Sequence, residues 1–222
     1  MNSMRKFFAE ALGTGGLLAV VVGSGIMAER LAGGNVALAL LANALATGAG
    51  LFVLIVTLAP VSGAHFNPIV SLSAWRDGAL STRALFATIT AQIIGAILGV
   101  LLTHAMFELP FPLWSEKVRH GSGQWIAEAV ASFGLVLLIL RLQKQSVPLI
   151  AAAVGLYITA AYWFTASTSF ANPAVTIARA FSNTFAGILP ADVPYFILAQ
   201  LVGLLLARGA HRLLGPVQYQ GA

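Results

Sequence analysis

Long apolar runs broken at regular intervals by short polar turns define this chain. The runs cover about Lys6–Ala28, Val36–Leu58, Ala84–Phe107, Trp125–Leu140, Pro148–Phe164 and Tyr195–Leu214, each close to the roughly 20 residues that a membrane-crossing helix needs. The polar breaks are Glu29-Arg30 with Gly33-Gly34-Asn35, Arg76-Asp77-Gly78, the longer stretch Leu109–Gly123, and Arg141 to Lys144. Two further segments, Asn67–Trp75 and Asn172–Phe181, are too short to cross a bilayer, and each starts on Asn-Pro. Asn is a favoured helix N-cap, and Pro suits the first helical position because its missing N–H has no partner to lose there. Each Asn-Pro therefore predicts a short helix entering the membrane from one side. Pro60 and Ser62-Gly63 are expected to interrupt the second run, and Asn183–Pro194 reads as a loop.

The order span, span, short helix, span occurs twice, over about 1–108 and 124–214 of one transmembrane domain spanning 1–222. Ala9-Glu10-Ala11 recurs as Ala127-Glu128-Ala129, 118 residues on; Asn67-Pro68 recurs as Asn172-Pro173, 105 on; Ala91-Gln92 with Gly95 recurs as Ala199-Gln200 with Gly203, 108 on. With an odd number of spans per unit, the second copy must lie inverted in the membrane. The predicted fold is an all-α membrane protein of six transmembrane helices plus two re-entrant half-helices.

Composition agrees: 59% of residues are hydrophobic and 9% charged, against about 25% charged in a soluble domain. The net charge of +5 does not signal nucleic acid, because the basic residues sit singly or in pairs at the ends of apolar runs. The first run is long for the apolar core of a signal peptide and reads as the first span. Placing the N-terminus in the cytoplasm puts Arg5, Lys6, Arg76, Arg83, Arg141, Lys144, Arg208 and Arg212 inside, against Arg30, Lys117 and Arg119 outside. Both termini are then cytoplasmic.

Enzyme chemistry finds little support. Cysteine is absent, the four histidines (65, 104, 120 and 211) are dispersed, and no cofactor or metal site is expected. Inverted repeats with broken helices build a site near the bilayer midplane. The two half-helix N-termini would meet there, each carrying a partial positive charge that disfavours cations. Asn67 and Asn172 offer amide N–H groups to a passing oxygen. The pattern predicts a conduit for small uncharged polar solutes. Glu10 and Glu128 are ionisable groups inside membrane spans, and such groups are costly and commonly functional. They read as acceptors for the irregular loops; a proton-coupled transporter using both is the alternative. His65 reads as a hydrogen-bonded loop residue, Gln92 and Gln200 as polar contacts between helices, and Glu116-Lys117-x-Arg119 as a solvated loop. Trp163 and Phe164 read as packing or interfacial residues.

The doubled Asn-Pro, the Ser62-Gly-Ala-His-Phe-Asn-Pro68 loop and the Ala-Glu opening of each half resemble the aquaporin (major intrinsic protein) family across nearly the whole chain. The resemblance implies one pore per subunit in a homotetramer. It makes Asn67-Pro68-Ile69 and Asn172-Pro173-Ala174 the midplane motifs, the first departing from the family's usual Asn-Pro-Ala. Ile69 is expected to alter how the half-helices pack on each other. Most members carry an arginine after the second motif, where this chain has Val175; Arg179, one turn on, is not assigned that role. The remaining filter positions fall on Thr47, Ser169 and either Ala160 or Tyr162. A wide filter of this kind resembles aquaglyceroporins, and in particular a bacterial subgroup without the filter arginine that is associated with arsenic resistance. The implied solutes are glycerol-like polyols, arsenous acid and methylated arsenicals, with water also possible, across a bacterial inner membrane.

Overall fold

A computed structural model describes residues 2–216. Its helices are α1 (Asn2–Leu31), α2 (Val36–Ser62), α3 (Pro68–Arg76), α4 (Thr82–Met106), α5 (Ser122–Leu142), α6 (Val147–Phe164), α7 (Pro173–Arg179) and α8 (Val193–Leu213), with a 3₁₀ turn at Pro190–Asp192. Six of these, all but α3 and α7, are long and apolar enough to cross a membrane. The protein is an all-helical, multi-pass membrane protein. Large apolar side chains such as Phe8, Leu45, Phe86, Leu156 and Leu205 are exposed on the outside of the bundle, where a bilayer accommodates them.

Three element boundaries differ from the sequence reading. Pro60 lies inside α2, which runs on to Ser62 and ends at Gly63 in a left-handed conformation, with the Gly63 N–H on the Ala59 carbonyl. A proline so near a helix end removes one hydrogen bond and leaves the last turn intact. Helix α7 stops at Arg179, two residues short of the expected end, because its following N–H groups close tight turns onto Ile177 and Ala178. The loop over 183–194 contains the 3₁₀ turn.

Helix pairing follows the small residues. α1 packs on α4, α5 on α8, and α2 on both α1 and α6. A Cβ placed on Gly95 of α4 would fall on the Ala11 carbonyl of α1, and one on Gly203 of α8 would fall on the Ala129 carbonyl of α5. The same close approach thus occurs twice, between elements that carry the repeated Ala-Glu and Gln-x-x-Gly motifs. Without a hydrophobic force between helices in lipid, such backbone proximity is what association rests on.

Substituting Gly203→Leu is expected to destabilise the bundle by about 1–3 kcal/mol or more, because backbone rather than a flexible side chain stands in the way. A fall in melting temperature of the detergent-purified protein, larger than for a lipid-facing change such as Leu205→Ala, checks it.

Candidate functional site: a pore between two re-entrant loops

The two loops that lead into α3 and α7 are the least regular backbone in the bundle. Ala64 and Phe66 in the first, and Thr168, Ser169 and Ala171 in the second, adopt positive φ, a conformation that costs non-glycine residues roughly 1 kcal/mol or more. Buried carboxylates hold them there. Glu10 Oε1 accepts from Ser62 Oγ (2.7 Å) and the His65 N–H (3.0 Å), and its Oε2 from the Phe66 N–H (2.8 Å) and Gln92 Nε2 (2.8 Å). Glu128 accepts from the Phe170 N–H (2.8 Å), the Ala171 N–H (2.9 Å) and Gln200 Nε2 (2.7 Å). Gln92 and Gln200 in turn donate to Ser71 Oγ and Thr176 Oγ1 at the bases of the half-helices, both at 2.9 Å. Backbone donors at membrane depth need internal partners, and these carboxylates supply them.

The tips of the loops are bonded to each other. Asn67 Oδ1 caps the Ile69 N–H while its Nδ2 donates to the Ala171 carbonyl at 2.7 Å. Asn172 Oδ1 caps Ala174 and Val175 while its Nδ2 donates to the Phe66 carbonyl at 2.8 Å. Each amide carries two N–H bonds; one is spent on this cross-link, and the second is left for the cavity that both residues line. Pro68 and Pro173 occupy the first helical positions. Ile69 is buried against Val136, Leu140, Leu204 and Ala207 of α5 and α8. Ala174 is buried in the central cluster. His65 lines the cavity, and its Nδ1 lies 3.1 Å from Ser71 Oγ.

One cavity of about 340 Å³ contains the Asn pair in its wall. It is lined by Asp77, Ala79 and Gln143, by Val70, Asn67, Asn172 and Val175, and by Thr47, Tyr162, Ser169 and Arg179. One part of the wall is apolar, from stripes spaced by four residues: Leu17 and Val21 on α1, Leu51 and Ile55 below Thr47 on α2, Leu135 and Ile139 on α5, and Ile150, Val154 and Ile158 below Tyr162 on α6. That spacing keeps each stripe on one helix face. The loops provide the polar part. The carbonyls of Gly63, Ala64, His65, Thr168, Ser169 and Phe170 accept no hydrogen bond among the described residues. All but Thr168 of these residues line the cavity. Unpaired carbonyls inside a membrane protein seek donors, and a hydroxylated solute or water brings them.

At the filter positions, Thr47 Oγ1 and the Tyr162 hydroxyl lie 3.1 Å apart and are buried. Ala160 is corrected here: it is exposed on the outer face of α6 and does not line the cavity, whereas Tyr162 does. The four-residue stripe Ile150, Val154, Ile158, Tyr162 was the sequence signal that separates the two. Trp163 and Phe164 are exposed on the outside.

Sequence reasoning missed two arginines. Arg119 is not solvated: Asp192 Oδ2 holds its backbone N–H at 2.7 Å, and its side chain donates to the carbonyls of Gly187 (2.8 Å) and Ser167 (3.1 Å). Burial pulls its guanidinium down to about 10, against the opposing effect of Glu128, so it remains charged at neutral pH. Arg179 is buried, with its Nε on the Ala186 carbonyl and its guanidinium 3.3 Å from the centre of the Phe170 ring. The signal available for Arg179 was a lone cation inside an otherwise apolar half-helix; nothing local marked Arg119, whose partners are backbone carbonyls distant in sequence.

A family model described as Major intrinsic protein matches residues 1–147. The chain belongs to the major intrinsic protein family. It is 56% identical over 218 residues to the Aquaglyceroporin AqpS of Rhizobium meliloti (strain 1021), covering 96% of this chain and 92% of that one. It is 28% identical to the Probable aquaporin AqpM of Archaeoglobus fulgidus over 93% and 95% of the two chains. The X-ray structure of the aquaglyceroporin from Plasmodium falciparum has the same fold, with a TM-score of 0.71 at 20% identity over 92% of each chain. Members of this family are channels rather than enzymes, and this chain is a passive membrane channel for small solutes.

Replacing Glu128 by Gln puts an N–H₂ group where backbone N–H donors need an acceptor, so at least one is left unsatisfied. The expected cost is about 2–3 kcal/mol. Melting temperature and solute flux of Glu128→Gln should fall together, with Glu10→Gln behaving alike; a variant of normal stability that had lost only coupling to a proton gradient would contradict the scaffolding role.

Proposed function

We propose that the pore passes uncharged polar solutes of glycerol size, including arsenous acid and methylated arsenicals, with water as a smaller co-permeant. The observation that carries this reading is the amphipathic wall. Free carbonyl acceptors and Asn donors lie along one part of it, and four-residue stripes of Leu, Ile and Val along the rest. A polyol has the matching anatomy, with hydroxyls to trade for water's hydrogen bonds and a carbon backbone to lay against the stripes. A small neutral hydroxide such as arsenous acid needs only the hydroxyl part. Asn67-Pro68-Ile69 and Asn172-Pro173-Ala174 form the midplane station, and Thr47, Tyr162, Ser169 and Val175 the outer constriction.

Val175 sets the width of that constriction, because an isopropyl group stands where a guanidinium would cross the lumen. The 56% identity to a protein named an aquaglyceroporin supports the same solute class. The halves 1–108 and 124–214 are inverted copies, and the subunits assemble as a homotetramer in a bacterial inner membrane. Eight lysines and arginines on one side against three on the other favour cytoplasmic termini.

Stopped-flow light scattering on proteoliposomes tests the reading. Wild-type vesicles should conduct glycerol and arsenous acid rapidly. Val175→Arg is expected to cut glycerol permeability about tenfold, a barrier increase of about 1.4 kcal/mol, while water flux persists. Glycerol flux unchanged in Val175→Arg would refute the role of position 175.

A further inference from the structure

The half-helices correspond in sequence register, and the register exposes a difference. Positions 105 residues apart correspond: Asn67 with Asn172, Ser71 with Thr176, Val70 with Val175, and Ala74 with Arg179. Val70 and Ala74 both line the cavity, and so do Val175 and Arg179. The face that α3 presents to the lumen as Val and Ala is thus presented by α7 as Val and Arg. Among the described lining residues, Arg179 is the single lysine or arginine.

The Arg179 guanidinium is held but not used up. Its Nε is fixed on the Ala186 carbonyl, and its plane lies against Phe170. Neither terminal nitrogen has a hydrogen-bond partner among the described residues, and neither is sealed from the cavity as an unsatisfied buried atom. Arg119, above the same ring at 4.8 Å, differs: both its Nε and its Nη1 are bonded to loop carbonyls, and it does not line the cavity. A second observation points the same way: the ion pairs among the described residues are His120 with Asp192 and Arg208 with Asp77, so no carboxylate is paired to Arg179. Free guanidinium N–H groups on a cavity wall present an unshared positive charge to whatever enters.

We propose that Arg179, reaching the lumen from one helical turn beyond Val175, is the pore's outer specificity station. Its fixed charge turns back cations and protons, while neutral solutes pass. The proposal rests on the channel reading above. It separates two tasks, width at position 175 and charge at position 179. A channel can then be open to glycerol-sized molecules and still be closed to cations, because an unneutralised charge at a dehydrated constriction acts through a low dielectric.

The test compares wild type, Arg179→Leu and the swap variant Val175→Arg/Arg179→Leu in proteoliposomes. Glycerol flux is followed by light scattering, and proton entry by an internal pH dye under a potassium diffusion potential. Wild type should conduct glycerol and stay proton-tight. Arg179→Leu should keep glycerol flux within a few-fold while proton entry rises tenfold or more, and the swap should restore tightness and slow glycerol. Arg179→Leu that conducts glycerol and remains proton-tight overturns the proposal. So does failure of Arg179→Leu to assemble that the swap does not rescue, because it would make Arg179 a purely structural residue. Wild-type vesicles impermeable to glycerol would instead sink the solute reading, whatever the proton result.

Discussion

A polypeptide that stops being helical inside a bilayer must find partners for its freed backbone groups, and this constraint shapes the rest of the pore. Here the N–H groups of both re-entrant loops are gathered by carboxylates, Glu10 for His65 and Phe66, Glu128 for Phe170 and Ala171. A carboxylate suits this place because it only accepts and has several lone-pair positions for converging donors. Burying its charge is expensive, and the cost is offset by charge-assisted bonds, each roughly twice as strong as a neutral one. With the N–H groups taken to one side, the carbonyls of His65 and Phe170, and of their neighbours Gly63, Ala64, Thr168 and Ser169, are left without partners among the described residues. The scaffold and the solute path are therefore two sides of one arrangement.

That arrangement also explains how the halves stay in register. The cross-bonds from Asn67 to the Ala171 carbonyl and from Asn172 to the Phe66 carbonyl fix the two loop tips against each other. Each loop position in these bonds has a counterpart 105 residues away. Around them, Gly95 and Gly203 let α4 and α8 come close enough for Gln92 and Gln200 to reach the carboxylates. Small residue, glutamine and glutamate are one mechanism written in three places along the chain.

The bilayer made much of this legible before any coordinates. Six apolar runs and two short Asn-Pro segments leave few alternatives when every spanning backbone must be helical, and the repeated Ala-Glu and Gln-x-x-Gly pointed to duplicated support. Legibility failed where contacts are remote in sequence or depend on which face a side chain takes. Ala160 and Tyr162 differ by two residues, hence by more than half a turn of helix, and counting through the bent loop before Asn172 could not separate them. Arg119 looked solvated because its polar neighbours Glu116 and Lys117 are exposed. Its partners, the carbonyls of Ser167 and Gly187, are 48 and 68 residues away. That Ile69 packs among α5 and α8 residues was likewise out of reach, because facing depends on how α3 is seated, which periodicity does not encode.

The departures from symmetry sit on the lumen side. Ala74 faces Arg179 in register, and the cavity lining carries Asp77, paired to Arg208 at 2.6 Å, near the end of α3 where α7's counterpart position is Ser182. A passive pore gains no direction from this. A neutral solute equilibrates to the same ratio whichever mouth bears the charge, since a fixed charge changes the height of the path and not the free energy of the two baths. What an asymmetric cation can change is which species find the path open. An ion meets an unneutralised guanidinium at one station only, after or before a stretch walled by Leu, Ile and Val that offers it no compensation. A single barrier of sufficient height is enough to block an ion, so α3 can keep alanine at the matching position and leave the other mouth wide. The scaffold comes in pairs because each loop needs its own carboxylate, whereas exclusion needs to be done once.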